Sequence, residues 1–437
     1  MKKSTSNCKM ILYNTLRIIY QKLPMPIGLK TQIKEGLSRR FFLANRVMKT
    51  RTHDYKKYAL DIFDVGKKGS EFVEYRDNEV VFTEEDIKPI AFYLPQFYTF
   101  PENDEWWGKG FTEWTNVTKA VPQFVGHYQP RLPQDMPFYD LSNIDTVKNQ
   151  VSLAKNYGIF GFCFHYYWFN GKRMLEKPLD AFLEAKDIDF RFCLNWANEN
   201  WTRRWDGAEQ EILIAQKHSD EDDLACIADI CRYIRDKRYI RVEGKPLIII
   251  YRADILPDVS KTIKIWRTYC RDNDIGEICI AAIRTFHLEN PYVYDFDEVV
   301  EFPPHFVSRD TSNISTSVKA INPEFNNNIF DMDYYISSRA YFNKPLPKIF
   351  KGIFPDWDNT PRRGSNATIY PMTSTLYKQW LLDIMEYTKK NRLPDDRFVF
   401  INAWNEWAEG AYLEPDRRNG YSALQDTLEA VLETRSL

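Results

Sequence analysis

Apolar and polar positions alternate in blocks along residues 88–437, and this pattern predicts strands followed by helices. Short, continuous apolar runs, which are typical of strands buried on both faces, occur eight times. They cover residues 90–93, 159–165, 190–195, 246–251, 278–283, 298–302, 349–354 and 398–402. Apolar residues at helical spacing fill most of the intervals, at residues 144–157, 175–186, 220–234, 263–272, 374–390 and 422–434.

Eight strands in about 350 residues predict an α/β fold, a (β/α)8 TIM-like barrel formed by residues 88–437. A doubly wound parallel sheet is the alternative. Against it, the first strand is followed neither by GxGxxG nor by GxxxxGK[ST]. Residues 303–345, which are rich in Asn, Ser and Pro, are expected to be irregular.

The first 50 residues form a separate basic segment. They contain 11 Lys or Arg and one acidic residue, a charge of +10, whereas the remainder of the chain carries −12. Residues 9–23 place bulky apolar residues among Lys9, Arg17 and Lys22, a pattern typical of helices that lie in a membrane interface. Residues 1–50 are therefore predicted to be an amphipathic arm on an anionic membrane surface. The alternatives are a helix pair packed on the body and a basic tail; residues 51–87 are expected to be an irregular lead-in.

Charge and cysteine usage limit the class of protein. A near-neutral to acidic body argues against nucleic acid as a partner. Seven scattered Cys without a CxxC pair suit a reducing compartment. The apolar run at residues 10–13 is too short for a signal peptide, and no run reaches the 18 residues of a spanning helix. We expect a cytoplasmic protein, peripheral on the inner face of the plasma membrane.

Aromatic and polar side chains collect after the predicted strands. In a barrel, these carboxyl ends surround the active site. Aromatic rings stack on sugar rings, and carboxylates and amides bind their hydroxyls, so the pattern predicts a glycan-binding cleft. The candidate binding residues are Tyr98, Trp107, Trp114, His165, Tyr167, Asn195, Trp196, Asn198, Glu199, Trp201, Arg252, Trp357, Asp358, Trp404, Asn405 and Trp407.

Glu406 and Glu409 follow the last predicted strand and are the candidate catalytic residues. If this segment is helical, residues three apart share a face and both carboxylates reach one cavity. Glycosyl transfer needs such a pair, one group to protonate an oxygen and one to act as base or nucleophile. An E-x-x-E string alone is typical of a solvated helix, but its place after a strand and among Trp residues favours catalysis.

No metal or other cofactor is expected. The six His are dispersed, without the paired spacing of a metal site. Two Asp-x-Asp strings, at residues 331–333 and 356–358, fit the motif of metal-dependent sugar-nucleotide transferases. The string is weak, and the nucleotide-fold signatures are missing.

Several segments together resemble a known family, the WbsX-type glycosyltransferase domain of bacterial polysaccharide loci. That domain is related to glycoside hydrolase family 99, the endo-α-1,2-mannosidases. The resemblance covers residues 88–435 and implies a (β/α)8 barrel with metal-independent chemistry. It rests on residues 90–98, 106–114, 195–206, 354–363 and 401–415.

The resemblance also implies roles for the two glutamates. Family 99 carries both catalytic carboxylates on Asn-Glu-Trp-His-Glu-Gly, and residues 405–410 match it except that Ala408 replaces the His. By this resemblance Glu406 removes the proton from a sugar 2-hydroxyl, which attacks its own anomeric carbon. Glu409 then protonates the leaving oxygen and afterwards activates the acceptor. Ala408 removes an imidazole that could bind sugar but leaves both carboxylates in place.

Three functional hypotheses follow. The first is a glycosyltransferase of O-antigen, lipopolysaccharide or capsule assembly that uses a lipid-linked sugar acceptor and an activated sugar donor. The second is a retaining endo-glycosidase similar to family 99, and the third is a glycan-binding barrel without activity. The basic arm and the lack of a signal peptide favour the first hypothesis, and the presence of both glutamates disfavours the third.

Overall fold

A computed structural model of the chain gives the fold. The description below covers the parts of the chain whose placement is defined. These are residues 55–64, 66–78, 80–203, 208–285, 287–343 and 346–436.

Eight parallel strands form a closed barrel. Each strand pairs with the next along the chain, and the ring closes where Ile90 in the first strand lies opposite Phe400 in the last. The (β/α)8 prediction is therefore confirmed, and each of the eight predicted apolar runs coincides with a barrel strand. The strands are β1 (Lys88–Tyr93), β2 (Gly161–Phe169), β3 (Arg191–Trp196), β4 (Lys245–Ile250), β5 (Cys279–Arg284), β6 (Glu298–Glu301), β7 (Ile349–Ile353) and β8 (Phe398–Ile401).

Helices surround the barrel and join most successive strands. Several helices are capped at their N-termini by a polar side chain. Ser219 accepts a hydrogen bond from the backbone N–H of Asp222, and Thr373 accepts one from that of Leu376. Between β5 and β6 the described chain has only a 3-10 turn, Pro291–Val293. The helices are α1 (Tyr55–Asp64), α2 (Pro101–Trp107), α3 (Glu113–Lys119), α4 (Ile144–Asn156), α5 (Lys177–Glu184), α6 (Asp220–Ile234), α7 (Val259–Asp272), α8 (Met332–Ser337), α9 (Thr360–Arg363), α10 (Ser374–Asn391) and α11 (Ser422–Arg435).

The segment between β6 and β7 is more ordered than its composition predicts. It contains α8 and the short strand Asn328–Ile329, which pairs with Thr368–Tyr370 from the segment after β7. The expectation that residues 303–345 are irregular is thus wrong in part. The strand in this segment forms by pairing with a distant segment, which local composition cannot show. The hairpin of Trp201–Arg203 with Ala208–Ile214 was not predicted either.

Side chains of the barrel strands alternate between the inside and the surrounding helices. In β3, Asn195 bonds to its neighbour His165 of β2 on the inside of the barrel. The next residue, Trp196, packs on Trp266 of α7 with ring centroids 5.4 Å apart. Phe92 and Phe400 fill the interior, with ring centroids 5.5 Å apart. The interior is therefore a packed core, and an open cavity can form only beyond the strand ends.

The lead-in at residues 66–78 lies against the barrel. The Gly69 amide donates to Arg418 O at 2.7 Å, and Val73 forms a bridge with Gly420. Helix α1 exposes Leu60 and Phe63, the latter to 78%. The predicted membrane arm, residues 1–50, lies outside the described residues. In the part of the chain that is described, every helix is too short or too polar to span a bilayer.

Gly352 permits close contact between β6 and β7. A Cβ atom at this position would lie 2.2 Å from the carbonyl oxygen of Glu301. We expect Gly352→Ala to lower the free energy of unfolding by about 1–3 kcal/mol, the usual cost of overpacking, measured by chemical denaturation. Gly66→Ala is the control, because its Cβ would meet nothing within 4 Å. Equal stability of the two variants would contradict this packing argument.

Candidate active site

A cavity of about 600 Å³ opens at the carboxyl ends of the barrel strands. Its walls come from segments that follow strands around the ring, including Gln96 after β1, Glu199 after β3, His305 after β6 and Arg362 after β7. Barrel enzymes carry their active sites at this end of the fold.

A tight turn after β8 presents two carboxylates to this cavity. The two-residue strand Asn405–Glu406 pairs antiparallel with Ala411–Tyr412, and the 3-10 turn Trp407–Glu409 joins them. In a 3-10 turn, residues three apart lie almost directly above one another. Glu406 and Glu409 therefore line the same cavity, as the sequence predicts, although on a 3-10 turn rather than on an α-helix.

Gly410 ends this turn and allows it to lie close to the segment after β7. Its φ angle is +66°, and a Cβ atom there would lie 2.8 Å from the backbone nitrogen of Asp358. Only glycine combines this left-handed conformation with so close an approach. The glycine thus fixes where the two glutamates lie relative to the segment that carries Arg362.

Arg362 joins three carboxylates. Its Nη1 lies 2.5 Å from Glu409 Oε1, and its Nη2 lies 3.1 Å from both Glu406 Oε2 and Glu113 Oε2. The Glu113 side chain is fully buried at the start of α3. One guanidinium therefore faces three carboxyl groups, and full ionisation of all three would leave excess negative charge in a buried place.

Burial and mutual repulsion raise the pKa values of both turn glutamates. The pKa of Glu406 rises to about 8, because burial and the charges of Glu409 and Glu113 outweigh the attraction of Arg362. Burial and Glu113 also raise the pKa of Glu409. The two carboxyl groups are therefore placed to share a proton. A neighbouring acid and base are thereby available in one cavity.

His165 contributes a neutral imidazole to the cavity wall. Burial and the charge of Arg362 lower the pKa of His165 to about 4. Asn195 Nδ2 lies 3.1 Å from His165 Nδ1 and donates to it, which leaves the proton on Nε2. This imidazole can donate a hydrogen bond without adding a charge to the cavity.

Aromatic side chains form much of the remaining wall. Trp201 lies beside Tyr167 with ring centroids 5.2 Å apart, and Trp357 lines the cavity together with Phe330 and Tyr370. Such rings offer apolar faces next to the carboxyl groups, the combination that sugar rings need. Phe330 and Tyr370 were not predicted, because they follow no barrel strand directly.

The structure brings eight of the predicted site residues to the cavity wall and places the others elsewhere. The eight are Trp107, His165, Tyr167, Glu199, Trp201, Trp357, Glu406 and Glu409.

Three predicted tryptophans belong to the hydrophobic core, and we correct the expectation that they stack on sugar. Trp407 is fully buried and stacks on Tyr412 at 3.9 Å between ring centroids. Trp404 is also fully buried and packs on Phe162, and Trp196 faces the helix layer. They point away from the cavity because strand residues alternate in direction and the turn after β8 folds back on itself.

Tyr98 and Trp114 are likewise core residues rather than cavity residues. Trp114 Nε1 donates to Tyr139 O at 2.9 Å, and its ring packs against Trp407. Tyr98 is 2% exposed and packs against Phe100. Both side chains support the segments after β1 from behind.

The predicted polar residues that lie outside the cavity bind the backbone of the loops that form the cavity wall. Asn405 bonds to both Leu94 N and Leu94 O, at 2.8 and 2.9 Å, and so ties the turn after β8 to the end of β1. Asn198 bonds in the same manner to the backbone of Arg252. Arg252 in turn pairs with Glu199, which does line the cavity. We correct the expectation that these residues bind sugar directly.

Asn195 and Asp358 also act behind the cavity wall. Asn195 is fully buried and orients His165. Asp358 is fully buried and accepts from Gln129 Nε2 and Thr360 Oγ1, and it pairs with His127. With these partners Asp358 anchors the segment that leads into Arg362.

Sequence reasoning missed the pairing of Arg362 with Glu113. Both residues follow predicted strands, and this position is the feature of the sequence that indicates a place in the site for them. Their contact joins residues 249 positions apart, which spacing along the chain cannot reveal. In the described residues we find no group of three His, Cys, Asp or Glu arranged to hold a metal ion. Asp331, from one of the two Asp-x-Asp strings, caps α8.

A buried carboxyl group, Glu414, supports the turn that carries the two glutamates. It accepts from Trp407 Nε1 at 2.6 Å, from Gln150 Nε2 at 2.7 Å and from Tyr139 Oη at 2.8 Å. Burial raises the pKa of Glu414 to about 7, despite these donors. The side chain therefore ties Trp407, in the middle of the turn, to α4 and to the segment before it.

Comparison with known proteins identifies the relatives of this chain. The family model described as "Glycosyltransferase WbsX" matches residues 89–427. Curated proteins named "Uncharacterized protein WxcX", from two strains of Xanthomonas campestris pv. campestris, are 46% identical over 345 residues. The match covers 78% of this chain and 49% of each relative, so the chain spans about half the length of the curated relatives it matches.

Solved structures with a similar fold include a GH99 endo-α-mannosidase from Bacteroides thetaiotaomicron in complex with bis-tris-propane. It is 15% identical, has a TM-score of 0.49, and the match covers 80% of this chain and 98% of that one. A second structure of the GH99 endo-α-mannosidase from this organism has 14% identity and a TM-score of 0.48, with 80% and 98% covered.

We expect Glu414→Gln to change how stability depends on pH. In the folded protein Glu414 keeps its proton up to a pH of about 7, whereas an ordinary Glu loses it near 4.5. Raising the pH from 4.5 to 7 therefore favours unfolding of the wild type, by about 3 kcal/mol from this group. The free energy of unfolding, measured with denaturant at pH 5 and 7.5, should decrease less between these pH values in Glu414→Gln than in the wild type.

The exposed Glu105 supplies the matched control for that measurement. Glu105→Gln should retain the wild-type pH dependence of stability. The same decrease in Glu414→Gln as in the wild type would show that Glu414 is already ionised at pH 5.

Proposed function

Because the chain belongs to the WbsX glycosyltransferase family, a family of carbohydrate-active enzymes, we propose that it transfers a glycosyl group during bacterial surface polysaccharide biosynthesis. The proposed substrates are an activated sugar donor and a lipid-linked sugar acceptor. The observation that carries the proposal is the pair Glu406 and Glu409, held by Arg362 in one aromatic-walled cavity. Hydrolysis would use the same pair with water as the acceptor, so it is the alternative outcome of the test below.

The two carboxyl groups supply the proton movements of such a reaction. The protonated one donates to the oxygen of the leaving group as the bond to the anomeric carbon breaks. The ionised one removes the proton from the attacking hydroxyl. Arg362 contacts both groups and stabilises whichever is ionised, so that charge can shift between them during the reaction.

The division of these roles needs its own test. The family resemblance makes Glu406 the base and Glu409 the acid, whereas burial raises the pKa of both residues. In the proposed mechanism the pair shares one proton, and leaving-group dependence decides which residue donates it.

Glu406→Gln and Glu409→Gln should each reduce turnover by about 10²–10⁴-fold, the usual contribution of a general acid or base. Purified protein would be incubated with membrane extracts of a polysaccharide-producing strain, and the lipid-linked glycans measured by mass spectrometry. Glu105→Gln, an exposed residue of α2, is the control and should keep full activity. Near-wild-type turnover of both pair variants would refute the assignment, and release of free sugar would favour hydrolysis.

The same variants on aryl glycosides distinguish the acid from the base. A good leaving group needs no protonation, so it restores activity to the variant that lacks the acid. If Glu409 is the acid, Glu409→Gln recovers and Glu406→Gln does not. The reverse pattern would exchange the two roles.

We further propose that residues 1–50 hold the protein on the inner, anionic face of the plasma membrane. Their charge of +10 supports this, and so do the exposed apolar side chains Leu60, Ile62 and Phe63 in the helix α1 that follows.

Deleting residues 1–50 should release the protein from vesicles that contain anionic lipid, as measured by flotation. High salt should release the full chain in part, because salt screens the attraction of basic residues to the surface. Vesicles of neutral lipid are the control and should bind both forms weakly. Equal flotation of both forms on anionic vesicles would rule out the arm as the anchor.

A further inference from the structure

Arg284, the last residue of β5, is a buried cation that forms no ion pair within the described part of the chain. The residue is 8% exposed, and its Nε atom is inaccessible and has no hydrogen-bond partner among the described residues. Its guanidinium carbon lies 5.0 Å from the centroid of the Phe306 ring. No hydrogen bond or ion pair connects it to any described residue.

Other buried arginines of this protein are paired. Arg131 lies 2.6 Å from Asp356, and Arg238 lies 2.9 Å from Asp236. A buried charge without a partner costs several kcal/mol, so proteins rarely keep one without a function. Arg284 forms no such pair within the described residues, so its guanidinium is a candidate site for an anionic group from outside the chain.

Arg284 lines a small chamber next to the main cavity. The chamber has a volume of about 50 Å³, and Phe302 and His305 line both spaces. It has room for about three to five water molecules at 10–15 Å³ each, which suits one small substituent of a sugar. The chamber thus lies directly beside the main cavity, and Phe302 and His305 form part of the wall of both.

The other charges of the chamber restrict what this substituent can be. Glu301 is already paired with Lys351 at 2.7 Å and accepts from Gly352 N at 3.2 Å. Asp310 also lines the chamber and would repel a doubly charged phosphate more than a singly charged group. Burial and the charge of Arg252 lower the pKa of His305 to about 4, so this residue is neutral.

We propose that Arg284 binds the carboxylate of an acidic sugar, so that the glycan substrate contains a uronic acid. A carboxylate is planar, carries one charge and matches the two parallel N–H groups of a guanidinium. This inference rests on the proposed function, since it names the substrate class of the same cavity. The diphosphate of a sugar nucleotide is too large for the chamber.

The test compares acidic with neutral sugars on the full chain. The probes are methyl glycosides of D-glucuronate, D-galacturonate and D-mannuronate, together with their neutral parent sugars, with dissociation constants measured by NMR titration. Wild type should bind at least one uronate more tightly than its parent. Arg284→Gln should weaken that binding by about 10–100-fold, the effect of losing a hydrogen bond to a charged group, and leave the neutral sugar unaffected.

Arg309→Gln is a matched control. Arg309 also lies over the Phe306 ring, at 4.8 Å, but its side chain is exposed. This variant should retain the preference for uronate. Arg284→Lys, which keeps the charge but not the planar pair of donors, should recover only part of it.

Thermal stability separates binding from a structural role. Arg284→Gln removes an uncompensated buried charge, so its melting temperature should equal or exceed that of the wild type. Equal binding of uronates and neutral sugars by the wild type would overturn the proposal. A lower melting temperature in Arg284→Gln, together with an unchanged preference for uronates, would also overturn it. Tighter binding of the parent sugars' 6-phosphates than of the uronates would do the same.

Glu409→Gln keeps this test separate from the proposed function. That variant should bind uronate as the wild type does, even though it turns over slowly. If Glu406→Gln and Glu409→Gln are both fully active, the proposed catalytic pair is wrong while the Arg284 result stands. If uronate preference is absent but Glu409→Gln is inactive, the catalytic proposal stands and the Arg284 proposal fails.

Discussion

The organisation of the cavity depends on one cation, Arg362, among three carboxyl groups. It contacts Glu113, Glu406 and Glu409, which lie on separate segments of the chain. Without it, three buried carboxyl groups would repel one another and the loops that carry them would separate. With it, one positive charge faces three carboxyl groups, and burial together with the remaining negative charge raises the pKa values of Glu406 and Glu409.

A second layer of interactions keeps this cluster in place. Asn405 fixes the turn after β8 to Leu94, and Glu414 fixes the same turn through Trp407. The rings that face the cavity, such as Trp201 and Trp357, are distinct from those that support it from behind. Polar groups buried with all their partners make such a support rigid, because any shift would leave a donor or acceptor unpaired.

The sequence predicts the barrel well and the cavity only in part. Apolar runs predict the eight strands because strands buried on both faces contain little else. Strand-end position correctly brings Glu406, Glu409 and Trp201 to one cavity. It does not show whether a ring such as Trp407 points into the cavity or the core, since that depends on the local turn. The sequence also cannot show that Arg362 pairs with Glu113, or that Arg284 has no ion-pair partner among the described residues, because both depend on contacts between distant segments.

The closure of the ring has a consequence for protein synthesis. β1 must pair with β8, and Asn405 bonds to Leu94 across 311 positions of the chain. A growing polypeptide therefore carries an unpaired β1 edge until β8 has left the ribosome, and both turn glutamates emerge after that strand. Unfinished chains lack the pair altogether and expose a strand edge to neighbouring chains on the same messenger RNA. Closure of the barrel is thus a late event of translation.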